Sequence, residues 1–328
     1  MGYLRRKIVF YAVALWAAVT LNFAIPRLIK GNPVDIMLAR AAQGGQPMPA
    51  EARHALELQF GVSDDPLWQQ YLGYVGNLLH GRLGLSVTYY PTPVSTVIAQ
   101  SLPWTLGLAG VALLVTVVLG LGLGMLAGWR RGGAVDALIP ATTFLAAIPY
   151  FWLALILLYV LGLGLGWFPL NGGYDYAGVQ MGPTLAFAAS VASHGALPAL
   201  TVVASSVAGW MLGMRNMMVS TMAEDYVVMA EAKGLSPRRV MLAYAARNAV
   251  LPSVAGFAIS LGFVVSGLLA TEVVFAYPGI GFALLQGVQN ADYPLMQGIF
   301  LIISLAVLGA NLLVDLLYGV IDPRTRKA

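Results

Sequence analysis

The chain has 328 residues, 59% of them hydrophobic and 10% charged, with a mean hydropathy of +0.78. Soluble domains carry about 25% charged residues, so this composition excludes a soluble globular protein and indicates an integral membrane protein. The net charge of +4 is small enough for basic loops at a membrane surface to account for it without nucleic acid, and the absence of cysteine excludes disulfides, thiolate metal sites and cysteine nucleophiles.

Apolar runs of ~20 residues can each cross a ~30 Å hydrocarbon core as a helix. The pattern predicts one polytopic domain over 1–328, with spans at Ile8–Ile25, Trp104–Ala127, Leu138–Leu161, Leu197–Met214, Ser253–Val273 and Gln297–Tyr318. The first follows Arg5, Arg6 and Lys7, as a secretory signal would, but its apolar run is long and no small-residue cleavage site follows; a retained anchor helix (8–25) is expected. Residues 26–103 then form a segment outside the membrane, where "SDDPLWQQYLGYVGNLLHG" predicts a helix with Asp65 as N-cap and Pro66 at the first helical position. His54 and His80 lie in this segment with no third donor nearby in sequence, which makes them surface or interface histidines rather than metal ligands.

The distribution of Lys and Arg sets the orientation. With the N-terminus inside, Arg5, Arg6, Lys7, Arg130, Arg131, Arg215, Lys233, Arg238, Arg239, Arg247, Arg324, Arg326 and Lys327 are all cytoplasmic. Arg27, Lys30, Arg40, Arg53 and Arg82 fall in 26–103, where length weakens the rule. Both termini are therefore expected in the cytoplasm, with 319–328 as a cytoplasmic tail.

In "LGLGLGMLAG", Gly122, Gly124 and Ala127 fit a loose dinucleotide fingerprint, but they lie inside a span with no preceding strand. Gly120, Gly124 and Gly128 instead predict one helix face that a neighbouring helix approaches closely. No phosphate-binding GxxxxGK[ST] loop occurs, so ATP-driven work would fall to a partner chain.

"AEAKGLSPRRVMLAYAARNAVLP", from Ala230 to Pro252, gathers Lys233, Arg238, Arg239 and Arg247 between two apolar runs. Glu224 to Lys233 reads as a helix, Gly234 as the left-handed residue that ends it, Ser236 as the cap of a second helix and Pro237 as its first residue. Val240, Leu242, Tyr244, Val250 and Leu251 would supply apolar contacts, with Arg238, Arg239 and Arg247 on the polar side. Two readings fit this pattern: an amphipathic helix on anionic headgroups, or a surface that docks a protein.

The stretch "DYVVMAEAKGLSPRRVMLAYAARNAVLP" resembles the cytoplasmic signature of ABC importer permeases, in the long-spaced form of dipeptide, oligopeptide and nickel systems. Val228, Met229 and Ala230 stand where the EAA triplet of other branches would fall, a departure usual for this branch. "GLSVTYYPTPVSTVIAQSLPWTLGLAG", "LGWFPLNGG", "TEVVFAYPGIGFALLQGVQNADYPLMQG" and "NLLVDLLYGVIDPRTR" resemble further segments of the same family, in the same order.

The resemblance implies an all-α membrane protein of type I ABC importer architecture: six transmembrane helices, cytoplasmic termini and a small helical extracytoplasmic insertion at 26–103. The five-span core would cover 104–318 and the cytoplasmic coupling loop 215–252. The chain would be the first of two permeases in a bacterial or archaeal inner membrane. Its implied partners are a second homologous permease, two ATP-binding subunits, an extracytoplasmic solute-binding protein and membrane lipid. ATP and Mg would be bound by the ATPases, leaving this chain without catalytic, cofactor-binding or metal residues. In the coupling loop Gly234 would make the bend, Ala230 and Ala232 would permit close packing and Leu235 would anchor in the ATPase groove. Glu231, Lys233, Ser236, Pro237, Arg238 and Pro252 complete the implied surface.

Two acidic positions bear on this plan. Asp315 interrupts the last span, where an ionisable group suggests a pathway or relay, yet it stands close before Asp322 and the basic tail, which favours a structural role at the inner end. Glu272 ends the fifth span before "VFAYPGIG", where Pro278, Gly279 and Gly281 forbid an uninterrupted helix. Glu272 and Tyr277 to Gly281 are assigned to the outer gate, supported by Asp292, Tyr293 and Pro294; a purely structural re-entrant turn fits equally. Tyr89, Tyr90, Trp104, Tyr150 and Trp152 would stack on a sugar or anchor the membrane interface.

A secondary transporter would carry paired intramembrane charges or a duplicated half, and a channel a filter-like ring; the sequence displays neither. A scaffold would not need the coupling loop. Peptides rank first as substrate, oligosaccharides second and nickel last. "NGGYDYAGVQMGPTLAFAASVASHG", read as an extended outer loop, keeps a sugar open, and its His194 reads as a hydrogen-bonded interface residue rather than a nickel ligand.

Overall fold

The computed structural model describes residues 2–28, 65–251 and 268–321. The described residues are mostly helical, with an isolated antiparallel bridge between Leu85 and Pro93 beside the helices. In chain order the helices are α1 (Gly2–Leu28), α2 (Leu67–Leu79), α3 (Val94–Trp129), α4 (Ile139–Ala147), α5 (Tyr150–Leu157), α6 (Leu185–Thr221), α7 (Asp225–Ala232), α8 (beginning at Pro237–Arg239), α9 (Ile280–Gln289) and α10 (Tyr293–Ile321). A helical stretch at 268–274 precedes α9. Among the described residues α1, α3, α6 and α10 are long and apolar enough to cross a membrane, and α4 with α5 make a fifth candidate if the bent pair is one span. His54, Pro252, Asp322, Arg324, the side chain of Asp315 and most of the expected span Ser253–Val273 lie outside the described residues.

The chain divides into two compact units, one of Met1–Trp104, Pro278–Leu312 and Gly319–Ala328, the other of Thr105–Tyr277 and Leu313–Tyr318. In the first unit, α2 leans on the end of α1. Phe23 meets the ring of Tyr71 edge-on at 5.3 Å and that of Tyr74 at 5.7 Å. Thr20 and Tyr71 share a hydroxyl hydrogen bond of 2.9 Å, and the Arg27 guanidinium lies 3.6 Å over the Phe23 ring while donating to Gln70 Oε1 at 3.3 Å. Helix α2 begins one residue later than expected: Pro66, in extended conformation, is the N-cap in place of Asp65. The carbonyl of Pro66 accepts from the amides of Gln69 and Gln70, a role its ring does not obstruct. In the same unit Gly298 of α10 faces Val94 and Ile98 of α3, where an added Cβ would sit 2.6 Å from Val94 Cγ1.

The second unit is organised by α3 against α6. The three glycines expected on one face do face the neighbour: a Cβ on Gly120 would collide with Trp210 Cβ, one on Gly124 would lie 2.8 Å from Met214 Cβ, and one on Gly128 would lie 2.5 Å from Met218 Cβ. Lipid tails are as apolar as leucine, so helices associate in a bilayer by close van der Waals packing, and small residues allow the backbones to approach.

Two boundaries differ from the expected ones. The run Leu138–Leu161 is not one straight helix but α4 and α5, bent by 104° at Ile148 and Pro149. Proline disfavours helical conformation in the residue before it, and Ile148 is extended at φ −79° and ψ 128°. The stretch 171–195 is not all loop, because α6 starts at Leu185, where the Thr184 hydroxyl caps it by accepting from the Phe187 amide at 3.2 Å.

The glycine face yields a contrast to test. Gly124→Val should lower stability by about 1–3 kcal/mol through overpacking, whereas Gly122→Val, whose Cβ position has nothing within 4 Å, should leave it unchanged or raise it. Melting of the two purified variants in detergent checks this; equal melting temperatures would remove the assigned contact.

Candidate functional site

The helix–turn–helix from Asp225 to Ala249 is built as the sequence indicates, and its turn is a full helix-terminating motif. Gly234 adopts φ +71°. Its amide donates to Glu231 O at 2.9 Å and the Leu235 amide reaches back to Ala230 O at 3.4 Å, closing the last turn of α7. Ser236 is in N-cap position with Pro237 next, although the Ser236 side chain makes no capping hydrogen bond.

The turn is braced from within the chain. Val227 and Ala230 of α7 and Val240 of α8 form a buried cluster, packed on by Trp129, Leu235 and Tyr244. Ala230 therefore permits close packing inside this chain, and Leu235 leans on the same cluster. Glu231, Ala232, Lys233, Gly234, Ser236, Pro237 and Arg238 are exposed on the outside of the turn. A Cβ added at Gly234 meets nothing within 4 Å, so the backbone conformation alone calls for glycine there.

Helix α8 does not keep the apolar face expected of it. After Pro237–Arg239 it widens into a π-helical stretch over Val240–Ala246 and returns to α at Arg247–Ala249. The buried positions are Val240, Ala245, Ala246 and Ala249, while Leu242 and Leu251 are exposed at 53% and 62%. The π stretch closes i→i+5 bonds where an α-helix closes i→i+4, and beyond it the buried face runs through Ala245, Ala246 and Ala249. Ala245, Ala246 and Ala249 then pack on Met214 and Met218 near the end of α6, flanked by Met125 and Trp129 of α3. Arg238, Arg239 and Arg247 are exposed, as expected.

An ion pair that the sequence offers no signal for fixes the neighbouring loop. Arg215 on α6 donates to Asp136 from Nε at 2.8 Å and from a terminal nitrogen at 3.3 Å, and the Gly132 amide donates to the same carboxylate at 2.9 Å. The partners are 79 residues apart.

The outer-gate candidates fall on both sides of the boundary between units. In the second unit Thr271, Glu272, Phe275 and Tyr277 are buried, and the stretch ends with Ala276 at φ +43° and a bond from the Tyr277 amide to Glu272 O at 2.8 Å. The Gly172 amide of "LGWFPLNGG" donates to Phe275 O at 3.0 Å. Burial, with Glu272 and Tyr176 adding to it, pushes the Tyr277 phenol up to about 12. In the first unit Gly279, in extended conformation, is the N-cap of α9, with Pro278 before it and Gly281 buried behind it.

Asp292 does more than support this loop. Fully buried, it accepts from the Ser86 hydroxyl and the Thr88 amide on one oxygen, the latter at 2.8 Å, and from the Leu295 amide on the other at 3.1 Å. It caps α10 and ties it to "GLSVTYY", 206 residues earlier. Burial, followed by the Asp292 charge, raises the Tyr89 phenol above its ordinary value. Tyr293 and Pro294 open α10, with Pro294 Cβ 3.5 Å from where a Gly84 Cβ would be. His194 bonds its own helix at Ser190 O at 2.8 Å and His80 bonds Gly76 O at 2.7 Å. Among the described residues no three His, Cys, Asp or Glu side chains group as a metal site.

Residues 120–327 match the family described as the binding-protein-dependent transport system inner membrane component. The chain belongs to this family. It is 35% identical over 99% of both chains to the di/tripeptide transport system permease protein of Pseudomonas aeruginosa (strain UCBPP-PA14). It is also 31% identical over 98% of both chains to the oligopeptide transport system permease protein of Bacillus subtilis (strain 168). With the dipeptide transport system permease protein of Escherichia coli (strain K12) it shares 31% identity over 93% of both. The helix–turn–helix and Asp292 both lie in the matched range, so this permease carries them within the family's own region.

Removing the charge at Asp292 while keeping its shape tests the anchor. Asp292→Asn keeps one acceptor oxygen but removes the charge and turns an NH2 group toward the donor or donors on the other side, so the permease should lose about 1.5–3 kcal/mol, read as an earlier thermal transition in detergent. An unchanged transition would show that the carboxylate charge and the displaced hydrogen bonds contribute nothing net.

Proposed function

We propose that this permease forms half of the transmembrane pathway of an ATP-driven importer of di- and oligopeptides. The observation that carries the mechanism is the exposed Gly234 turn, braced by Val227, Ala230 and Val240 and seated through Ala245, Ala246 and Ala249 on the end of α6. A rigid, outward-facing turn attached to a membrane helix is what a lever requires. The exposed residues from Glu231 to Arg238, with Pro252, serve as the coupling surface on which an ATP-binding subunit acts, while Ala230 packs behind them inside this chain. The names of the relatives support peptides as the cargo.

In this reading the chain is one domain with six spans and cytoplasmic termini in a bacterial or archaeal inner membrane, and 26–103 lies outside the membrane. It assembles with a second permease, two ATP-binding subunits and an extracytoplasmic binding protein. ATP and Mg belong to the ATP-binding subunits, and this chain does no covalent chemistry. Closure of the ATP-binding subunits moves the turn; α8 transmits the movement to α6 through the alanine–methionine contact, and α6 carries α3 with it. Glu272 and the segment from Tyr277 to Gly281 lie near the outer gate, and Asp315 has a structural role at the inner end of α10.

Two measurements test the proposal. Reconstituted with its partners and cognate binding protein, the complex should raise its ATPase rate with di- to oligopeptides; stimulation instead by β-linked oligosaccharides or nickel would overturn the cargo. Gly234→Asn accepts the left-handed backbone and has open space in this chain, so it should leave the permease folded. It should nevertheless cut peptide uptake about tenfold or more, the loss expected when one well-packed interface position is spoiled. Wild-type uptake by that variant in an intact complex would end the coupling assignment.

A further inference from the structure

Helix α6 meets the bent pair α4–α5 at several levels. The Asp136 carboxylate, in the short 3₁₀ turn Asp136–Leu138 that leads into α4, accepts from Arg215 Nε at 2.8 Å and from a terminal nitrogen at 3.3 Å. Thr142 Oγ1 of α4 lies 3.9 Å from Met211 Sδ, and the Tyr150 hydroxyl at the start of α5 shares a 2.9 Å hydrogen bond with Ser206 Oγ. From Ser206 to Arg215 these contacts cover about 14 Å of α6, at 1.5 Å of rise per residue.

The bend interrupts the helix between α4 and α5, because Ile148 is extended and Pro149 has no amide to donate. The orientation of α4 therefore depends on what holds it to α6. The ion pair is the directional contact: two N–H···O bonds set the guanidinium plane against the carboxylate, and the Arg215 and Asp136 side chains are only 28% and 13% exposed. The loop is folded round the acid as well. Gly132, at φ +74°, donates its amide to Asp136 at 2.9 Å, and the Gly133 amide reaches Arg130 O at 3.1 Å. Withdrawing Arg215 would leave that turn closed on a carboxylate without its cation, so the arrangement favours a contact kept shut over one that opens and closes.

On α6, Arg215 lies between Met214 and Met218, the residues on which Ala245, Ala246 and Ala249 of α8 are seated. The seat of the Gly234 turn and the anchor of α4 thus share one stretch of helix. Taking the Gly234 turn as the coupling element, on which this step rests, we infer that Asp136 and Arg215 are positioning residues for transport. Their pair clips the start of α4 to α6, so that movement delivered to α6 by α8 carries the bent pair α4–α5 with it.

The native chain has no cysteine, so the ion pair can be exchanged for a link made at will. Asp136→Cys with Arg215→Cys is treated with a short bis-methanethiosulfonate before the permease is combined with its partners. The complete transporter is then assayed in liposomes for dipeptide taken up per ATP hydrolysed. Unlinked, the double variant should lose about tenfold in this ratio while hydrolysis continues, a loss within the range of coupling free energies between sites. Linked, it should return close to the wild-type ratio, and Asp136→Asn should uncouple as the unlinked variant does. A pair that only stabilised the fold would lower uptake and hydrolysis together and leave the ratio unchanged. That result, a wild-type ratio in the unlinked variant, or uptake abolished by the link would each overturn the clip. Normal transport by Gly234→Asn, or a wild type that takes up no dipeptide, would instead end the underlying reading and the clip with it; the clip fails alone when the wild type is active and Gly234→Asn is impaired.

Discussion

The second unit depends on the backbone approach of α3 to α6 along Gly120, Gly124 and Gly128. In a bilayer the apolar side chains gain nothing by leaving lipid for protein, so the energy of this contact comes from fit. Substituting any of the three places a Cβ within 3 Å of the Trp210, Met214 or Met218 Cβ, and at Gly124 and Gly128 also of the Met211 or Arg215 backbone. The register that the glycines impose presents Met214 and Met218 to α8, and on the same part of α6 Arg215 meets Asp136. Both the seat of the turn and the clip on its neighbouring loop follow from one row of missing side chains.

The Gly234 turn is consequently a stiff body and not a floppy connection. Its first helix is closed by two backbone bonds to Ala230 and Glu231, its second is widened by a π stretch that lets three alanines face methionine, and one buried cluster joins the two. Alanine against methionine gives a smooth, adaptable contact, since the thioether side chain is unbranched and conforms to the surface it meets.

The first unit solves a different problem, the burial of a carboxylate. An unpaired charge at Asp292 would be costly to desolvate, but a hydroxyl and two amides donate to it, and one of those amides belongs to the first turn of α10. The acid thus caps a membrane helix and fastens a distant segment. The chain turns sharply at both ends of α9: Ala276 and Ala291 each adopt positive φ after a helix, the same closure that Gly234 makes.

Hydropathy by itself determined the membrane class and most of the spans, because burial in lipid demands a run of apolar residues whatever the packing. Spacing by four determined the glycine face, and the glycine–proline punctuation determined the helix–turn–helix, since both are consequences of local backbone geometry. The tertiary structure decided what local rules leave free. Alanine gives no signal for a left-handed residue, so Ala276 and Ala291 were invisible. Pro149 bends the third apolar run by holding Ile148 extended, which a hydropathy window averages over. Leu185, not Leu197, begins α6 because a cap needs only Thr184 and a free amide, not apolar residues. The buried face of α8 is the alanine one, with Ala245, Ala246 and Ala249 on Met214 and Met218 of α6, and Leu242 and Leu251 stay exposed. Asp136 with Arg215, and Asp292 with Ser86, are pairs whose members lie 79 and 206 residues apart, and only folding the chain brings such groups within reach of a hydrogen bond.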